Sequence, residues 1–143
     1  MKGFKNILVP LDFSDSSSRI LQTALNVLSD DGKITLLHIV EWMPAVAPGT
    51  FGIYPHRKDI EKLKALSLEQ LEEQAREQKD ADVVAMVREG KPATIILEVI
   101  GGLAPDLVVM GSHGRSKIDH LLIGSVAERV IRKAPCPVLT VRF

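Results

Sequence analysis

Short runs of aliphatic residues recur along the chain at regular intervals, and stretches with helical spacing separate one run from the next. Runs of roughly four to eight residues rich in valine, isoleucine and leucine, bounded by turn residues, are typical of buried strands. The pattern therefore predicts five strands, at residues 7–11, 33–40, 83–87, 107–110 and 137–141.

Four helices are predicted between these strands. Apolar residues at three- and four-residue spacing predict helices over about 16–29, 59–79, 92–100 and 126–133. We expect the first helix to stop at Asp30-Asp31-Gly32 and the third at Gly101-Gly102, because glycine commonly ends helices. Residues 41–57 carry three prolines, two glycines and no regular pattern, so an irregular excursion is predicted there.

Strands that alternate with helices indicate an α/β protein with a doubly wound parallel sheet and helices on both faces. We expect one domain over residues 1–143, since neither an internal repeat nor a low-complexity linker interrupts the pattern. In such sheets ligands bind beyond the carboxyl ends of the strands, where the strand order reverses. The residues after the first, second and fourth strands are therefore the candidates for function.

Composition excludes several classes of partner. The chain has 18 basic and 18 acidic side chains, so we expect no nucleic-acid binding, which a basic excess usually accompanies. Its one cysteine, Cys136, cannot form an internal disulfide and fits a reducing compartment. No apolar stretch is long enough for a membrane span, and the amino terminus lacks a signal-peptide pattern. We expect a cytoplasmic protein without membrane contact.

A glycine-rich segment follows the fourth strand and leads into the last helix. It reads Gly111-x2-Gly114-x9-Gly124-Ser125. Glycines allow the backbone to approach a ligand closely, and N–H groups freed in such turns bind anions together with a helix amino terminus. The alternative is that these glycines only make turns.

Side chains in the same segment strengthen the phosphate interpretation. Arg115 and Lys117 supply cations that could offset phosphate charge. Ser125 lies three residues before Glu128, a capping-box pattern that predicts Ser125 as the helix cap, a phosphate ligand, or both. Histidine is a common general base, but no partner that would make His113 catalytic can be specified.

Asp12 follows the first strand directly. A carboxylate at this place can accept hydrogen bonds from ribose hydroxyls or the adenine edge, or hold a metal ion through water. It can equally be a turn or helix-cap residue, and the residues alone leave these alternatives open.

Several segments of the chain together resemble the universal stress protein family. They are Ile7 to Ser14 (ILVPLDFS), Leu37 to Val40 (LHIV), Asp106 to Ser116 (DLVVMGSHGRS), Gly124 to Arg129 (GSVAER) and Ala134 to Leu139 (APCPVL). The resemblance spans the whole chain and implies a flavodoxin-like sheet with strand order 3-2-1-4-5. It also implies a homodimer joined through the C-terminal strand. The glycine skeleton is similar to that of the family's ATP-binding branch, from which Lys117 departs because relatives often have glycine there.

The resemblance implies a nucleotide site and no catalytic residue or metal ligand. Asp12, Pro10 and Leu11 would lie at the nucleoside end, and the Val40 backbone would contact adenine. The nucleotide-binding residues implied are Pro10, Leu11, Asp12, Val40, Met110, Gly111, His113, Gly114, Arg115, Gly124, Ser125 and Val126.

Three functions are compatible with these residues. The first is a nucleotide-responsive regulatory protein of the stress response, which binds ATP (or ADP or AMP), with or without Mg²⁺, and is read by an unidentified protein partner. The second is a slow Mg²⁺-dependent ATPase that uses the same pocket. The third is a dimeric interaction module that needs no nucleotide. The first is expected, because a phosphate cradle is evident and a general base is not.

Overall fold

The computed structural model describes residues 3–41, 57–113 and 122–142. The predicted excursion at 41–57 therefore lies outside the described residues except at its two ends. Strands and helices alternate along the described ranges, with these bounds: β1 (Phe4–Pro10), α1 (Ser17–Val27), β2 (Leu28–Val40), α2 (Arg57–Arg76), β3 (Asp82–Glu89), α3 (Pro92–Leu103), β4 (Leu107–Gly111), α4 (Ser125–Lys133) and β5 (Val138–Val141).

The five strands of the described ranges form one parallel sheet in the order β3-β2-β1-β4-β5. This confirms the α/β class and the strand order 3-2-1-4-5. Successive residues of a strand point to opposite faces of a sheet, so each face has its own core. Ile7 and Val9 of β1 pack under α1 and α2, whereas Leu8 between them packs under α3 and α4. Helices on both faces are therefore confirmed.

A cluster of polar contacts fixes β1 against β4 at the amino end of the sheet. The two oxygens of the Asp106 carboxylate accept the backbone N–H groups of Lys5 and Asn6, each at 2.9 Å. The Asn6 side chain donates to the Leu103 carbonyl at 3.0 Å. These bonds hold the register Ile7 to Leu107 in the strand pair, which places the far ends of both strands side by side.

The first helix and second strand differ from the prediction. α1 ends at Val27, and residues 30–32 belong to β2 instead of stopping the helix. The pairing with β1 is irregular here, because Phe4 pairs with Leu28 but Asn6 with Lys33. A Cβ atom on Gly32 would lie 2.6 Å from the Leu28 side chain. The same Cβ would lie 2.9 Å from the Phe4 carbonyl oxygen, so Gly32 allows the backbones to pack closely in an irregular strand start and does not end a helix.

The prediction that α3 ends at Gly101-Gly102 is also wrong. Both glycines are helical, and the helix continues to Leu103. A Cβ at either glycine would meet no described atom within 4 Å, so these positions are open. The helix stops at Ala104, which takes a left-handed conformation (φ 47°) before Pro105. Packing of Ile100 and Leu103 on the sheet outweighs the helix cost of glycine, about 1 kcal/mol each.

Candidate nucleotide site

Three strand ends meet at the carboxyl edge of the sheet. β1 lies between β2 and β4, so the residues that follow these strands are neighbours. α1, which follows β1, packs on one face of the sheet, and α4, which follows β4, packs on the opposite face. Doubly wound sheets have a ligand-binding crevice at such a divergence, so the ends of β1 and β4 are the candidate position.

Asp12 lies in the turn that connects β1 to α1. One of its carboxylate oxygens accepts the Ser14 N–H at 3.0 Å, as in an Asx turn. The Leu11 N–H continues the sheet by donating to the Leu37 carbonyl at 2.8 Å. Phe13 has a φ of 59°, an unusual value for a bulky side chain. Asp12 is thus a turn residue, and it remains a candidate for ligand contact at the sheet edge.

Three predicted site residues are buried at the strand ends. Leu11, Val40 and Met110 are only 4–5% exposed. Leu11 and Met110 belong to the two cores on opposite faces of the sheet. A ligand at this edge would therefore meet chiefly their backbone. Pro10 is half-buried at the end of β1, where it pairs with Leu37.

The carbonyl of Val40 already has a partner. It accepts the Gly90 N–H at 3.0 Å, which joins the end of β2 to the turn after β3. Gly90 has a φ of 135°, in the region that favours glycine, and a Cβ there would lie 2.9 Å from the Ile95 side chain. The backbone at the proposed adenine contact is therefore held in place by a turn that only glycine fits.

The two ends of the glycine-rich segment lie together. Ser112 follows β4, and its N–H donates to the Val141 carbonyl at 3.0 Å. Its own carbonyl accepts the Gly124 N–H at 2.6 Å. The amino end of α4 is thus joined directly to the carboxyl end of β4. Gly114 and Arg115 lie outside the described residues.

α4 begins at Ser125, one residue earlier than predicted. Gly124 is the N-cap, its carbonyl accepts the Glu128 N–H at 2.9 Å, and no side chain caps the helix. The capping-box prediction for Ser125 is therefore wrong, because Ser125 is already helical. Ser125, Val126 and Ala127 occupy the first turn, where N–H groups have no acceptor within their own helix. The positive end of the α4 dipole therefore faces the carboxyl edge of the sheet.

His113 lies beside this helix end. Its Nδ1 is 3.0 Å from the hydroxyl of Ser112, which is 1% exposed. Its Nε2 is buried and has no hydrogen-bond partner within the described ranges. A buried polar atom without a partner costs free energy, about 1–3 kcal/mol, so a ligand acceptor at this nitrogen would be favourable.

The structure also shows a charged cluster that the sequence did not predict. The Arg57 guanidinium binds Glu89 through two hydrogen bonds of 2.7 Å, and Lys64 lies 3.5 Å from the same carboxylate. The hydrogen bonds from Arg57 hold the pKa of Glu89 below its usual range. The cluster ties the start of α2 to the end of β3. Its partners are 32 residues apart, so no sequence pattern could have revealed it.

Two surface hollows lie away from the crevice. One of about 410 Å³ runs along the outside of α2 beside Leu66, and one of about 380 Å³ separates α1 from the end of α2. Neither is lined by a predicted site residue. In the described part of the chain, no helix is long and apolar enough to cross a membrane. The same part holds no group of three metal-ligating side chains.

The fold and the sequence both match known proteins. The model of the universal stress protein family matches residues 3–142. A universal stress protein of Methanocaldococcus jannaschii is 31% identical over 140 residues, which cover 97% of this chain and 82% of that protein. The structure of universal stress protein UspA from Lactobacillus plantarum superposes with a TM-score of 0.78 at 22% identity, covering 99% of this chain and all of the other.

A second similar structure contains a nucleotide. It is a universal stress protein family protein from Arabidopsis thaliana with AMP bound, with a TM-score of 0.63 at 21% identity; the match covers 96% of this chain and 90% of that one. At this identity the likeness bears on the fold only. The family match over nearly the whole chain, the relative at 31% identity and the shared strand order together lead to one conclusion: this chain belongs to the universal stress protein family.

Proposed function

We propose that this protein binds an adenine nucleotide, ATP in the first place, in the crevice between β1 and β4 and acts as a nucleotide-responsive regulatory protein. The observation that carries the proposal is the 2.6 Å bond from Gly124 to Ser112, which brings the amino end of α4 to the end of β4. A helix amino terminus at a topological switch point is a suitable site for phosphate groups.

The phosphate groups are proposed to bind the first turn of α4. Its N–H groups, at Ser125 to Ala127, and the positive end of the helix dipole both favour an anion. The buried Nε2 of His113 can contribute a further hydrogen bond from the neighbouring turn. The proposed phosphate site also includes three residues of the glycine-rich segment, on the basis of the sequence: Gly111, Gly114 and Arg115.

The nucleoside is proposed to lie over the ends of β1 and β2. Asp12 lies at the end of β1, in the turn that its bond with the Ser14 N–H shapes, and a carboxylate can accept hydrogen bonds from ribose hydroxyls. The Val40 backbone is proposed to contact adenine. A universal stress protein family protein of this fold from Arabidopsis thaliana has AMP bound, which makes an adenine nucleotide the first ligand class to test.

A regulatory role fits this site better than hydrolysis. The groups proposed to bind phosphate, which are backbone N–H groups, His113 Nε2 and Arg115, all act as hydrogen-bond donors or cations, and a group in that role does not take a proton from water. A Mg²⁺-dependent ATPase is the second candidate. It would be favoured by steady release of inorganic phosphate that is lost together with ATP binding in Gly124→Asp.

Calorimetric titration of the nucleotide-free protein with ATP, ADP, AMP and adenosine, each with and without Mg²⁺, tests the proposal. We expect saturable binding of about one ATP per chain and weaker binding of adenosine, which lacks the phosphates. Absence of heat with every ligand, together with no gain in thermal stability, would contradict it. The interaction module without nucleotide would then be the better account.

A homodimer through β5 is part of the same proposal. In the described sheet β5 pairs only with β4, so its other edge is open. Leu139 of this edge strand is 37% exposed, so an apolar side chain lies on the open edge. Sedimentation should show a dimer that Leu139→Lys converts to monomer. Leu66→Lys, at an exposed position of α2, is the control and should leave the dimer intact.

A further inference from the structure

We propose that His38 is a positioning residue for nucleoside binding: it fixes both sides of the turn that carries Asp12. The inference rests on the proposed function for its ligand, but its structural part can be tested without one. His38 lies on β2 and is 7% exposed, so it is a buried polar residue close to the carboxyl edge of the sheet.

The first contact of His38 is with the residue before Asp12. Its Nδ1 lies 2.8 Å from the Leu11 carbonyl oxygen, in a buried environment. A carbonyl oxygen only accepts, so Nδ1 carries the hydrogen and donates it. A buried bond of this length between residues 27 positions apart joins β2 to the point where the chain leaves β1.

The second contact is with the residue after Asp12. The ring of His38 packs on that of Phe13, with centroids 4.2 Å apart and planes tilted by 39°. Phe13 has a φ of 59°, and bulky residues keep such a conformation only where their surroundings hold it. The His38 ring packs directly against the Phe13 side chain and so helps to hold this backbone conformation.

Asp12 therefore lies between two residues that the same imidazole holds. The Asx-turn bond from the Ser14 N–H to the Asp12 carboxylate depends on this backbone path. Replacing the imidazole with an apolar group leaves the Leu11 carbonyl without this donor and Phe13 without its ring partner. The turn should then sample other conformations, and the Asp12 carboxylate should point at the ribose for less of the time.

Two substitutions separate the donor from the bulk of the side chain. His38→Leu keeps an apolar group of similar size but removes the hydrogen bond. His38→Asn keeps a donor near the position of Nδ1. Ile100→Val, in the core on the opposite face of the sheet, is the matched control for a general loss of stability.

Two measurements are made on each variant well below its melting temperature. The first is the hydrogen-exchange rate of the Ser14 amide, which needs no ligand. The second is the affinity for adenosine, which reports the nucleoside end alone. We expect His38→Leu to speed Ser14 exchange about tenfold and weaken adenosine binding about tenfold. His38→Asn keeps the donor but loses the ring contact with Phe13, so it should lie between wild type and the leucine variant, about threefold from wild type in both measurements, and Ile100→Val should change neither.

The outcomes separate this inference from the proposed function. Unchanged Ser14 exchange in His38→Leu, or equal effects of the leucine and asparagine variants, would overturn the positioning role. A wild-type protein that binds no adenosine or ATP would contradict the proposed function. Faster Ser14 exchange in His38→Leu would then still support control of the turn by His38. If His38→Leu does not fold, Phe13→Ala tests the same turn at a half-buried position, and unchanged exchange there would overturn the role of the ring contact.

Discussion

Replacing Gly124 with aspartate should raise stability and lower ATP affinity at the same time. Gly124 is the N-cap of α4, with φ −63° and ψ 157°, an extended conformation that any residue can adopt. No side chain caps this helix, so a carboxylate there can accept the N–H of Val126 or Ala127. The same carboxylate would occupy the place, and carry the charge, proposed for the nucleotide phosphates.

The stability gain can be estimated from three effects. Aspartate is a better N-cap than glycine by a few tenths of a kcal/mol. Its charge at the helix amino end adds about 0.3–1 kcal/mol, and loss of glycine freedom in the unfolded chain adds about 0.4–1 kcal/mol. The sum, about 1–2 kcal/mol, corresponds to a rise in Tm of about 3–6 °C for a chain of this size.

Thermal unfolding and calorimetric titration with ATP and adenosine are the assays. ATP should bind at least tenfold more weakly to Gly124→Asp, whereas adenosine, which has no phosphate, should bind as to wild type. Gly124→Asn is the matched control, since it caps the helix without a charge and should weaken ATP less. Wild-type ATP affinity in Gly124→Asp would refute the phosphate assignment. A fall in Tm would show that the cap position has no room for a side chain.

Three further predictions concern other parts of the molecule. Asp12→Ala should weaken adenosine and ATP by the same factor, about tenfold, in a binding titration; unchanged adenosine affinity would remove Asp12 from the site. Arg57 lowers the pKa of Glu89, so this ion pair stabilises the fold above about pH 4.3, the ordinary pKa of glutamate. The contribution of the pair to stability is lost as the pH falls through the lowered pKa of Glu89. Glu89→Gln should therefore reduce the melting temperature at pH 7 and make it fall less steeply as the pH is lowered. If the melting temperatures of wild type and variant fall in parallel with pH, the ion pair does not contribute in this way. Leu71→Ala, at a fully buried position of α2, should cost about 2–5 kcal/mol in urea unfolding, and a loss below 1 kcal/mol would mean that α2 packs loosely.

The sequence predicted the architecture well because its apolar pattern is strong. Every strand has a run of aliphatic residues, and both faces of β1 are buried, as Leu8 and Val9 show. Strand order was available only through the family resemblance, since periodicity does not say which strands are neighbours. The structure confirms that order.

The errors arose where packing decides the local conformation. Gly101-Gly102 predicts a helix end, but α3 continues to Leu103, which packs against the core, and stops before Pro105. The sequence predicts Ser125 as the cap, but the bond from Gly124 to Ser112 accompanies a helix start one residue earlier. Both helix boundaries depend on contacts between distant parts of the chain.

The site was predicted from motifs more than from geometry. Asp12, Val40 and Met110 are at the carboxyl edge, as expected from their place at or after the ends of strands, and Gly124 is joined to that edge by its bond to Ser112. Their roles in binding stay predictions. The function of His38 could not be read from the sequence, because its partners, Leu11 and Phe13, are 27 and 25 positions away on another strand and its turn.

Nuclear magnetic resonance of the amide groups during addition of ATP tests the central claim most directly, because it reports both binding and its place. The account predicts saturable shifts that are largest at Ser112, His113 and the first turn of α4, with smaller shifts at Asp12 and Val40. No shifts at all, or shifts confined to the outer face of α2, would contradict it.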